Sequence, residues 1–179
     1  VGAKKETDYG DYFMWGSTTP NTADECNWAK APFNGGASSY DEAYFNSVKD
    51  TVCPNGILAK EYDAASHIMG GDWRMPTKEE FDELLNGTTN EWITNYNGTG
   101  VSGRKFTSKT DTSKYIFFPA AGGCYQRSVY DVGDYGFVWS SSLYASISSN
   151  AWDLRFNSDK CFVDFNGRSF GRSVRGVME

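Results

Sequence analysis

In Ala151-Trp152-Asp153-Leu154-Arg155-Phe156 the large apolar side chains Trp152, Leu154 and Phe156 alternate with the charged Asp153 and Arg155. A period of two places these sets on opposite faces of a β-strand, and no helix can sort them that way. The next run, Cys161 to Phe165, alternates in the same manner, burying Cys161 and Val163 and turning Phe162 and Asp164 outward. Phe137 to Ser140 and Ser173 to Val177 read as further strands. Lys105 to Ser108 and Tyr115 to Phe118, separated by Asp111-Thr112-Ser113, read as a hairpin.

The first half follows other rules. From Val1 to about Ile57, Gly10, Gly16, Pro20, Pro32 and Gly35-Gly36 break up short aromatic runs, so loops with one or two short strands are expected. Asp63 can cap a short helix over Ala64 to Met69 that Gly70-Gly71 ends. Thr77 and Glu80 form a Ser/Thr-x-x-Glu capping box. Behind it Phe81, Leu84 and Leu85 share one helical face, with Gly87 just past the end. Helices first and strands later make an α+β layout: short helices packed on small antiparallel sheets, with a loop-rich surface. The 179 residues suit one domain, 1–179. Nineteen glycines and 16% aromatics fit short strands, tight turns and ring-lined surfaces.

Several function classes are set aside on chemistry. A net charge of −6 provides no phosphate-neutralising face, so nucleic acid is not an expected partner. No apolar run approaches the ~20 residues that span a bilayer, so no membrane insertion of this domain is expected. Cys26, Cys53, Cys124 and Cys161 form neither a CxxC pair nor a Cys/His cluster, so no metal is expected. Their even number permits two disulfides or none. Cys161, at a buried strand position, is inert filling or half of a disulfide, with Cys124 as a candidate partner. His67 is the only histidine and has no nucleophile motif beside it, so it reads as structural. The acidic Glu79, Glu80, Asp82 and Glu83 open a helix, where negative charge is favourable. Neither a catalytic residue nor a cofactor is predicted.

Binding is the remaining class. Phe162 turned outward beside Asp153, Asp164 and Arg155 suits a recognition surface. Tyr144 to Ser149 and Asp164 to Phe170 are rich in Ser, Asn, Asp, Tyr and Phe without apolar periodicity, a composition suited to adaptable binding loops.

Five motifs carry a family resemblance: Asp8-Tyr9-Gly10-Asp11-Tyr12-Phe13-Met14-Trp15-Gly16, Asp63-Ala64-Ala65-Ser66-His67, Gly70-Gly71-Asp72-Trp73-Arg74-Met75-Pro76-Thr77, Phe117-Phe118-Pro119-Ala120-Ala121-Gly122 and Trp139-Ser140-Ser141-Ser142. Together they resemble the FISUMP-type (Fibrobacter succinogenes major paralogous) domains, of the C-type-lectin and formylglycine-generating-enzyme-like fold group. The tail from Trp139 through Asn150-Ala151-Trp152 and Phe156-Asn157-Ser158 to Gly171-Arg172-Ser173-Val174-Arg175 is similar to variable proteins of diversity-generating retroelements. In such elements an error-prone reverse transcriptase randomises template adenines, so Asn codons scatter into residues such as Tyr, Ser, Asp, Phe, Ile and Arg, but never into Glu, Gln, Lys, Met or Trp. Between Leu143 and Arg172 there is no Glu, Gln or Met.

The resemblance implies a C-type-lectin-like fold with a variable ligand-binding region over 139–177. Its diversified residues would be Tyr144, Ser146, Ile147, Ser149, Asp153, Arg155, Phe162, Asp164, Phe165, Asn166, Ser169, Phe170 and Arg172, over a scaffold of buried Trp139, Trp152, Leu154, Phe156 and Val174. It implies recognition of a protein or other surface ligand from an extracellular position, on a cell surface or phage virion. The alternatives are an undiversified adhesive or structural module of the FISUMP-type family and a formylglycine-generating-type oxidase, whose activity needs reactive cysteines.

Overall fold

The capping box closes as the sequence requires. Thr77 accepts the Glu80 N–H, Glu80 accepts the Thr77 N–H, and helix α3 runs Lys78–Gly87, so Gly87 is its last residue rather than the one beyond. The same Glu80 carboxylate takes a two-pronged contact from Arg74, both distances 2.7 Å. Those bonds hold its pKa below the ordinary glutamate value. Because the folded value is lowered, the stability it contributes is present above the unfolded pKa and lost as pH falls through the folded one. Glu80→Gln should cost about 1 kcal/mol at neutral pH, a deficit that closes in urea titrations carried to acid.

The computed structural model of the protein describes residues 1–178. Its architecture is α+β: small antiparallel sheets with a few short helices. Helix α2, Ala64–Met69, is capped by Asp63 and stops at Gly70, whose φ of 70° lies where glycine is favoured. Strand β1, Trp73–Arg74, pairs with β10, Val177–Met178. A three-stranded sheet joins β2, Thr88–Ile93, to β3, Gly103–Ser108, and β4, Tyr115–Pro119. A hairpin joins β5, Gly123–Tyr125, to β6, Ser128–Tyr130. The central sheet is β7, Gly136–Leu143, then β8, Asn150–Phe156, then β9, Cys161–Gly167, all antiparallel. No helix among the described residues is long and apolar enough to cross a membrane.

Three expectations are corrected. The first segment holds a helix, α1 (Glu42–Val52), capped by Asp41, where loops and short strands were expected. Ser173 to Val177 is not a strand: Ser173 makes one isolated bridge to Val138, and only Val177 enters a ladder. Cys124 bonds Cys26, not Cys161. Gly171 packs its backbone on both of these sulfurs, which leaves no room for a side chain.

The central sheet is covered on both faces. Val138, Leu154 and Phe156 pack on Phe81 of α3 and on Phe106 and Phe118 of the neighbouring sheet. Trp139 and Ala151, on the opposite face, pack with Phe13, Trp15, Phe45 of α1 and Val174. The indole N–H groups of Trp15 and Trp139 are satisfied by the Ser140 and Phe13 carbonyls, tying the N-terminal loops to β7. The cover thins toward β9, at the sheet's rim, where each of the seven residues is half-buried, as are Asn150, Trp152 and Arg155 of the adjoining β8.

Candidate recognition surface

Every second residue of β8 and β9 faces the same side, and the register pairs Arg155 with Phe162, Asp153 with Asp164 and Trp152 with Phe165. Two clusters follow, one on each side of the rim. On the α3 side, Tyr144 and Phe165 stack at 3.9 Å with their rings 6° apart, and Trp152 meets both edge-on. Lys78 of α3 places its ammonium 5.5 Å from the Trp152 ring while pairing with Asp82. Trp152, expected to be buried scaffold, is half-buried instead and belongs to this aromatic step.

On the other side Arg155 pairs with Asp164 at 2.9 Å, and Lys160 stands 4.9 Å over the Phe162 ring. Asn166 lies further along this face, its side chain bonded to the Gly167 N–H. Phe170, in the following turn, stacks on Tyr125 of β5 at 4.0 Å. Ser146 and Ile147 are exposed, and together with half-buried Ser149 they line a cleft of about 490 Å³ against Tyr40 and α1 residues Asn46 and Lys49. This loop is anchored from beneath by Arg168. Its Nε donates to the Ser148 carbonyl, and its guanidinium lies 3.9 Å from the Phe45 ring. Burial lowers the Arg168 pKa to about 10, which leaves it charged at neutral pH.

Asp153, Ser169 and Arg172 do not belong to the surface. Asp153 and Ser169 are fully buried and Arg172 is 1% exposed. The reason is the double cover of the sheet: the face expected to be wet is roofed by the segment 168–174 and the N-terminal loops. Arg172 lies 3.4 Å from the Asp153 carboxylate and 3.9 Å from the Phe137 ring, and Arg155 reaches the same carboxylate at 3.6 Å. Burial pushes the Asp153 carboxyl above its ordinary value, against the pull of both arginines.

A family model described as a domain of unknown function, DUF8237, matches residues 99–177. That stretch holds β3 through β9 and the whole rim, but is less than half of the chain. No curated protein and no solved structure matches.

The sequence signals missed Trp152, Tyr125, Tyr40 and Lys49. Alternation assigned Trp152 to the covered face, and only the three-dimensional end of that cover exposes it. Tyr125, Tyr40 and Lys49 come from distant segments that carry no shared pattern. Among the described residues no group of three or more His, Cys, Asp or Glu could hold a metal ion. The Cys161 thiol is pushed up to about 12 by burial, so at neutral pH it is almost wholly protonated and a poor nucleophile. Alkylation by iodoacetamide at pH 8 should therefore be slow in the native protein and fast in urea. Prompt native labelling of Cys161 would contradict this.

Proposed function

We propose that the chain is a ligand-recognition module of C-type-lectin-like fold whose rim residues are diversified by a retroelement. Its ligand is a protein or other surface molecule met outside the cell, from a bacterial surface or a phage particle. The observation that carries this reading is the convergence of Tyr144, Phe165, Arg155, Phe162 and Asp164 on one half-exposed strand rim, beside a sheet core buried on both faces. Side chains at the rim can change with little cost to the fold, whereas those beneath it cannot. The Cys26–Cys124 disulfide fits an oxidising setting.

The reading narrows the diversified set to Tyr144, Ser146, Ile147, Ser149, Arg155, Phe162, Asp164, Phe165, Asn166 and Phe170. Sequencing the locus across isolates tests it. Differences should concentrate at these ten positions, spare Asp153, Ser169 and Arg172, and accompany a nearby template repeat and reverse transcriptase. An invariant tail would return the chain to the adhesive-module alternative, and free variation at Arg172 would overturn the partition made here.

A further inference from the structure

The chain treats the two edges of its central sheet differently. Along β7 the edge is sealed: the Trp139 N–H donates to the Ser173 carbonyl, the Ser141 N–H to the Pro76 carbonyl, and the Ser141 carbonyl accepts the Leu58 N–H, all within 3.0 Å. In the neighbouring sheet, edge strand β4 ends in Pro119, and Arg175 Nη2 covers the Phe117 carbonyl at 3.4 Å. Strand β9 has no such cover. It runs seven residues in unbroken register with β8, without proline or bulge, and so lacks the usual devices that blunt an edge.

The directions of its main-chain groups follow from the closed pairs at each end. The Asn157 N–H donates to the Lys160 carbonyl, and the Arg168 N–H to the Ser149 carbonyl. Stepping by twos between them turns the main chain of Phe162, Asp164 and Asn166 toward β8 and that of Cys161, Val163 and Phe165 outward. Arg155 makes a long 3.5 Å contact with the Phe165 carbonyl. Among the described residues nothing bonds the Cys161 carbonyl, the Val163 N–H and carbonyl, or the Phe165 N–H. Of the charges beside this edge, Asp164 is paired with Arg155, and Lys160 lies over the Phe162 ring.

We propose that the recognition surface captures its ligand by strand addition: an extended peptide segment lies along β9 and bonds these four groups. Its alternate side chains then meet Val163, Phe165 and Tyr144 on one face, which selects apolar residues. Those between meet Phe162, Arg155 and Asp164 on the other, which selects polar ones. The inference rests on the recognition reading above and deepens it. Main-chain bonds would supply one share of the affinity whatever stands at 162, 164 and 165, and those side chains would add the rest and choose the sequence.

The test uses a random nine-residue peptide library selected on the intact chain. Selected peptides should bind Val163→Pro at least about tenfold more weakly than Val163→Ala, the scale of one lost hydrogen bond, because both replace the valine side chain and only proline removes the N–H. Proline is tolerable there because the Val163 N–H lies outside the β8 ladder. On the unsubstituted chain, peptide should slow amide exchange at Val163 and Phe165. Undiminished binding to Val163→Pro, protection appearing instead along Thr88–Ile93, or a library that yields no binder would each overturn strand addition. If the same peptides ignore Tyr144→Asn, Phe162→Asn and Phe165→Asn, the recognition reading falls as well; if they respond to these but not to Val163→Pro, only strand addition falls.

Discussion

Arg172→Met should lower folding stability by about 3–5 kcal/mol at neutral pH, the usual cost of removing one partner from a buried ion pair. Methionine keeps much of the side-chain volume and lies against the Phe137 ring that the guanidinium now covers at 3.9 Å. It cannot, however, offset the Asp153 carboxylate, which is wholly buried and left with Arg155 at 3.6 Å. The pH dependence has a definite sign. The folded Asp153 carboxyl sits above its ordinary value, and losing Arg172 raises it further. A raised carboxyl favours the fold below the unfolded pKa, about 3.9, and that advantage is lost as pH rises through the folded value. The deficit of Arg172→Met is therefore greatest at neutral pH and narrows toward pH 4. Adding Asp153→Leu removes the stranded charge and should recover most of the loss. Urea midpoints for the parent, both single variants and the double variant decide it. An unchanged midpoint for Arg172→Met, or a deficit that grows in acid, would show that the pair does not hold the fold.

The same pair marks where the sequence stops being legible. Alternation sorted β8 and β9 correctly: Leu154 and Phe156 share one side, and Asp153, Arg155, Phe162 and Asp164 share the other. What alternation cannot report is whether the second side is wet. An antiparallel sheet commonly leaves one face to solvent, and that prior failed here because the segment 168–174 runs beside β7 and lays Arg172 over the Phe137 ring and against Asp153. Local signals fared better where the chemistry is local, as in the Asp63 cap and the Thr77–Glu80 box. Helix α1 was missed because Asp41, its cap, follows a glycine-rich stretch and its interior mixes Tyr, Phe and Asn with Val and Lys. Its burial of Phe45 against distant Trp139 stabilises it from outside the segment. The rim was legible as a list of residues but not as two clusters, since Tyr144 follows β7, bonds Asn150 through its main chain and reaches Phe165 of β9 across β8.

That stack makes the clearest prediction about binding. Half-exposed aromatic rings held rigid by one another lose little entropy on contact, so they are the positions where interfaces concentrate their energy. Phe165→Asn removes one ring of the Tyr144–Phe165 stack and one edge-on partner of Trp152. It should weaken a ligand selected from a displayed library of surface proteins by about 30-fold or more, the equivalent of about 2 kcal/mol. Folding stability should fall by much less than in Arg172→Met, because the ring is only half-buried and leaves no stranded charge. Ile116→Asn supplies the control. Ile116 is an exposed apolar residue on β4, outside the rim, so losing it tests whether any exposed apolar side chain would serve. Equal losses for Ile116→Asn and Phe165→Asn would place the binding surface elsewhere. A loss confined to Phe165→Asn, with the urea midpoint nearly unmoved, separates recognition from folding because the affected ring contributes to the first far more than to the second.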